Sequence, residues 1–106
     1  AHPNLKVIYG HNDDMSMGII KAVEAAGKQD QVIVVSDNAS PEGVEAIKAG
    51  KLAGSVAQSP AVAEGERAIE LAIDYLNGKP IPEHEREELF FLTKENLDKA
   101  KPWCYE

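Results

Sequence analysis

Val32-Ile-Val-Val35 is a run of β-branched apolar residues with no polar alternation. Such a run suits a strand covered on both faces by helices, as in parallel α/β sheets, and it predicts a central strand. Three short apolar runs of this kind each end in a side chain able to grip hydroxyls. Residues 6–12 read Lys-Val-Ile-Tyr-Gly-His-Asn, 32–37 read Val-Ile-Val-Val-Ser-Asp, and 54–58 read Gly-Ser-Val-Ala-Gln. As parallel strands they bring Asn12, Asp37 and Gln58 to one rim of a sheet, and open α/β sheets bind ligands outside the carboxyl ends of their strands. These three residues are the candidate site.

Between the runs the apolar period becomes helical. Asn12, Asp13 and Asp14 can cap a helix over 14–26 that places Ile19, Ile20, Val23 and Ala26 on one face, and Gly27 stops it. Ser40-Pro41 opens a short helix carrying Val44 and Ile47 inward, ended at Gly50. A strand at 52–57 follows. Ser59-Pro60 then begins a longer helix with Ile69, Leu71, Ile73 and Leu76 on its apolar side, stopped by Asn77-Gly78. After an acidic stretch at 83–88, Leu89-Phe-Phe-Leu92 predicts a last strand, and Thr93 caps a short helix toward Leu97. The order β-α-β-α-β-α-β-α specifies an α/β fold, a mostly parallel sheet flanked by helices with right-handed crossovers.

At 106 residues and 43% hydrophobic content, the chain fits one globular domain. Eighteen acidic residues against 11 basic ones give a net charge of −7, which repels phosphate backbones, and no basic run offsets it. Nucleic acid is therefore not an expected partner. No apolar stretch approaches the roughly 20 residues that span a bilayer, so no membrane insertion is expected. The chain carries no charged-then-apolar leader, and its single cysteine, Cys104, cannot close an intrachain disulfide.

Recognition of a sugar needs acceptors for several hydroxyl protons and donors to hydroxyl oxygens. Aspartate supplies two strong acceptors, while asparagine and glutamine supply both functions. Asn12, Asp37 and Gln58 form that set; the competing reading is that they only cap helices and satisfy loop backbone. His11, beside Asn12, is a weaker ligand-binding candidate. His2 and His84 have no metal-ligand spacing, and no metal or cofactor is expected. Asp13-Asp14 with Asp37 could gather around Mg²⁺, an arrangement similar to response-regulator receiver domains, but Gln58 and Thr93 stand at the later strand ends where that family has a hydroxyl residue and a lysine. No serine lies in a Gly-x-Ser-x-Gly elbow and no glycine-rich phosphate loop is present, so the chain is not expected to be an enzyme.

The string Asn12-Asp-Asp-Met-Ser-Met-Gly18 resembles the Asn-Asp-x-Met-Ala-x-Gly segment of type I periplasmic sugar-binding proteins, the group around ribose-binding protein. Further matching strings follow in that family's order. They are Val32-Ile-Val-Val-Ser-Asp37, Ile47-Lys-Ala-Gly-Lys-Leu-Ala-Gly-Ser-Val-Ala-Gln58-Ser-Pro60, Leu76-Asn-Gly-Lys79 and Thr93-Lys-Glu-Asn-Leu-Asp98. One departure is Ser36-Asp37-Asn38, where the family often has Phe-Asp-Gly.

The resemblance implies a C-terminal portion of a two-lobed solute-binding protein, a periplasmic-binding-protein type I lobe that is incomplete. It divides the single domain, 1–106, into a second-lobe part at 1–58, a helix at 59–80 that crosses to the first lobe, and a return strand and tail at 81–106. Asn12, Asp37 and Gln58 match positions from which the second lobe hydrogen-bonds sugar hydroxyls. The implied function is binding of a pentose or hexose for ABC-type import, with the transporter permease as partner of the full-length parent and a periplasmic or extracellular location. The helix between Pro60 and Asn77 is expected to need a cover, from the missing N-terminal lobe, from self-association or from repacking on its own sheet. Two alternatives are an effector-sensing core related to the lactose repressor and a Mg-dependent, receiver-like signalling domain.

Overall fold

In the computed structural model, residues 2–57, 61–86 and 88–100 are described. The predicted strands are present: β1 (Val7–Tyr9), β2 (Ile33–Asn38) and β3 (Gly54–Ala57) run parallel, side by side in chain order, and β4 (Phe90–Leu92) joins antiparallel to β3. β2 is thus an inner strand, pairing Val7 with Ile33 on one side and Ser36 with Ser55 on the other.

α1 (Asp13–Ala25) starts one residue before its expected start, because Asn12 is itself the cap: its extended backbone leaves Oδ1 free to accept from the Met15 N–H at 2.9 Å. α2 (Pro41–Lys48) begins under a Ser40 cap with proline in its first turn, where a missing N–H breaks no bond. α3 (Ala61–Leu76) is the long third helix. The last element is a 3-10 helix, Lys94–Lys99, entered through a reciprocal capping box between Thr93 and Asn96.

Because the parallel strands advance in one direction, crossovers of one hand carry α1 and α2 to the same face of the sheet. The core lies there. Ile20 and Val23 of α1, Ala46 and Ile47 of α2, Val34, Ala57 and Leu92 from the strands and Leu52 are all buried. Each fully buried valine, leucine or isoleucine side chain contributes about 1.5–3 kcal/mol relative to exposure.

The expectation of a central strand covered on both faces is not met. On the opposite face Tyr9 is 56%, Ile33 51% and Phe91 45% exposed, since no helix of the described residues crosses back to that side. Nor does the third helix fold over the sheet: Ile69 and Leu76 of α3 are 63% and 82% exposed. An ion pair between Arg67 and Glu85 at 2.6 Å fastens α3 to the segment that follows it instead. The radius of gyration of 17.4 Å exceeds the ~13 Å of a compact 100-residue domain, as a projecting helix requires.

Candidate ligand-binding rim

Asn12 stands three residues beyond the carboxyl end of β1, and Asp37 is the penultimate residue of the neighbouring β2. β1 and β2 pair through Tyr9 and Val35, and the Gly10 N–H continues the ladder by donating to the Val35 carbonyl at 2.9 Å. Asn12 follows two residues later and Asp37 lies two beyond Val35, both half-buried. β3 ends beside them, with Val56 opposite Asp37 and Ala57 opposite Asn38. Gln58, the third expected residue, lies outside the described residues. His11 is exposed at the same rim, its ring 6.1 Å from that of Tyr9.

Asn12 is both cap and candidate. Its Oδ1 is taken by Met15, while its Nδ2 donates to none of the described residues. A ligand hydroxyl oxygen can accept from that amide without disturbing the cap. Asp37 brings carboxylate acceptors on the sheet face shared with Val56 and Phe91, the side away from α1 and α2.

Beneath the rim, on the helix side, is a buried polar cluster that the sequence reading did not find. Asp13 is 1% exposed; one carboxylate oxygen accepts from the Ser40 N–H at 2.6 Å and the other from the Ser55 hydroxyl at 2.8 Å. Ser55 Oγ in turn accepts from the Ala39 N–H at 3.0 Å. Ser16 donates to Ser36 at 2.8 Å, both side chains fully buried. A carboxylate in this position needs compensation, and it has it: Asp13 opens α1 and also receives an N–H at the start of α2, so two helix N-termini face it. The signal was available. Asp13, Ser16, Ile20 and Val23 recur at helical spacing, so the buried stripe of α1 turns polar toward the rim.

The turn held by this cluster is unusual. Asn38 and Ala39 both adopt positive φ, 99° and 50°, a region that favours glycine. Asn38 occupies the position where the Phe-Asp-Gly pattern has its glycine. Ser36, in place of that pattern's phenylalanine, bonds Ser16, which stands where the Asn-Asp-x-Met-Ala-x-Gly pattern has alanine. Two departures from the resembled pattern therefore meet in space.

A cavity of about 380 Å³ opens at the other end of the sheet, among Ile20, Val23, Glu24, Val32, Ile33 and Lys51. It sits where β2 and β3 begin, far from the polar strand ends, and its rim carries the Glu24–Lys51 ion pair. Among the described residues no cluster of three His, Cys, Asp or Glu could hold a metal ion. The Mg²⁺ reading also requires Asp13 to turn toward solvent, whereas both its oxygens are engaged inside the protein.

The sequence pattern of the periplasmic binding protein domain matches residues 1–80. The chain belongs to that family. It is 38% identical to the ribose import binding protein of Salmonella typhimurium over 81 residues, 76% of this chain and 27% of that protein. It is 42% identical to the D-allose-binding periplasmic protein of Escherichia coli over 82 residues, 76% of this chain and 26% of the relative. The chain thus spans about a quarter of the length of these curated relatives. Among solved structures, a Caulobacter myo-inositol binding protein bound to myo-inositol superposes with a TM-score of 0.77 at 33% identity, covering 90% of this chain and 32% of that one. An ABC transporter periplasmic solute binding protein from Actinobacillus succinogenes with bound D-allose gives 0.78 at 31% identity, covering 91% and 34%. These neighbours are type I sugar-binding proteins, and the mostly parallel four-stranded sheet with flanking helices matches theirs.

Proposed function

We propose that this chain forms one wall of a sugar-binding cleft in a periplasmic or extracellular solute-binding protein serving ABC-type import. The observation that carries the reading is the placement of Asn12 and Asp37 at the carboxyl ends of two neighbouring parallel strands. Asp37 accepts from adjacent sugar hydroxyls, and Asn12 donates through Nδ2 because its oxygen is committed to Met15. Gln58, next in the family's pattern, completes the set, with His11 a secondary contact. Binding involves no bond making or breaking in the sugar. The names of the relatives, which bind ribose, allose and myo-inositol, support a small polyol ring as ligand. A second lobe in the longer parent closes over the ring and excludes water, and the closed pair of lobes is what the permease reads.

The single wall gives weak affinity, since an open rim leaves most of the ligand in water. A dissociation constant in the millimolar range or weaker, equivalent to about −4 kcal/mol or less in magnitude, is expected. Amide NMR titration with D-ribose, D-allose and myo-inositol tests this. Shifts confined to residues 10–14 and 36–40 support the reading; saturable shifts confined to the cavity at the opposite end of the sheet, or none at all, overturn it.

A further inference from the structure

We infer that Asp13 is a positioning residue that locks the turns after β1 and β2 to strand β3, so that Asn12 and Asp37 meet a ligand as one preformed rim. The inference rests on the sugar-binding reading for its purpose, but its geometry is independent of any ligand.

Asp13 adjoins Asn12 at the first turn. One of its oxygens accepts from Ser40, three residues past Asp37, and the other from Ser55, two residues before Ala57. Ser55 closes the loop by accepting from Ala39. One buried carboxylate therefore reaches the turns after β1 and β2 and strand β3. The β2–α2 turn needs such restraint. Ala39 holds φ 50° with a methyl group present, and residues other than glycine stay in that region only where the surroundings over-determine them. The fit is close on every side: a Cβ added at Gly43 would lie 2.1 Å from Asp13 Oδ2, so α2 approaches the carboxylate with no spare room. Rigid placement of binding groups reduces the ordering cost of association, which matters most for a site whose contacts are hydrogen bonds to small hydroxyls.

Ser55→Ala is the primary variant because it removes the bridge while leaving almost the same volume. The amide exchange of Ala39 rises by at least about tenfold relative to amides in the middle of α1. The Met15 amide, bonded to Asn12 and not to Ser55, changes its chemical shift, and so does Asp37. Asp13→Asn, which keeps an acceptor for Ser40, retains more Ser40 protection than Asp13→Ala. Unchanged Met15 and Asp37 shifts with Ala39 still protected overturn the proposal. So does a rise at Ala39 no larger than the even rise over the sheet that a loss of global stability alone would give. The sugar titration separates the two levels. Turn amides that respond as expected in a protein that ignores D-ribose, D-allose and myo-inositol uphold the positioning role and remove the sugar reading. Sugar-induced shifts identical in wild type and Ser55→Ala, with the turn unmoved, do the reverse.

Discussion

The Ser55 hydroxyl donates to an Asp13 carboxylate oxygen at 2.8 Å across 42 residues of sequence, inside the fold and directly below the strand ends. The two residues sit on different elements, so their bond is made only when α1 and β3 have both docked. Removing either partner leaves buried polar groups without mates.

Ser55→Ala strips Asp13 of one donor and leaves the buried Ala39 N–H unpaired. An unsatisfied buried group costs about 1–3 kcal/mol, and the variant is expected to lose that much. Urea unfolding of wild type and variant side by side measures it. A midpoint unchanged within error contradicts the network.

Gly43→Ala replaces a glycine in the first turn of α2, a change that raises helix propensity by up to about 1 kcal/mol where space allows. Here the new methyl meets Asp13 Oδ2 at 2.1 Å, so a net loss of about 1–3 kcal/mol is expected instead. The sign of the change in thermal midpoint decides between propensity and packing.

Gly10→Ala places a Cβ 1.8 Å from Ser16 Oγ and forces apart the pair that Ser16 makes with Ser36. Combining it with Ser16→Ala removes the worst clash. The double variant is therefore expected to be more stable than the sum of the two single losses, a coupling of about 0.5–3 kcal/mol in a double-mutant cycle. Strict additivity would place the two residues out of contact.

The exposed stripe of α3 gives a concentration-dependent expectation. With Ile69, Ile73 and Leu76 of α3 uncovered and one face of the sheet bare, the chain self-associates and binds an apolar dye. Sedimentation at several concentrations reads this directly, and Ile69→Lys with Leu76→Lys lowers both effects. A monomer at all concentrations that binds no dye refutes it.

The Arg67–Glu85 pair sets a pH dependence. The hydrogen bond from Arg67 is the main influence holding the Glu85 carboxyl below the ordinary glutamate range; desolvation opposes it and the guanidinium charge adds to it. A depressed folded-state value means that the tie is complete above the unfolded carboxylate's titration and is lost as pH falls through the lower folded value. NMR of the Glu85 side chain is expected to titrate below that of a free glutamate, and Arg67→Gln is expected to bring it back. Both side chains are partly open to solvent, so salt weakens the effect.

Most of the element order was legible because short apolar runs, caps and glycine stops each announce themselves locally: Val32-Ile-Val-Val35, Ser40-Pro41 and Gly50 are examples. The sidedness of the sheet was not. The same apolar run at β2 would serve a strand covered on one face or two, and only the direction in which β1, β2 and β3 advance fixes where the helices go. At the rim, Asn12 and Asp37 were readable as polar ends of apolar runs. Asp13 was read as a cap or a metal ligand because a lone sequence gives a carboxylate no inside or outside; its place on the stripe with Ser16, Ile20 and Val23 was the available clue. The contact between Ser16 and Ser36 is a tertiary event with no local signature.

The most direct measurement is the amide NMR titration of wild type and Asp37→Ala with D-ribose, D-allose and myo-inositol, carried to concentrations that saturate millimolar binding. Shifts are expected at residues 10–14 and 36–40 of the wild type for at least one of the three, together with their loss in Asp37→Ala while the rest of the spectrum is preserved. Wild-type shifts that survive the substitution unchanged, or a rim that none of the three disturbs, would contradict the sugar-binding reading.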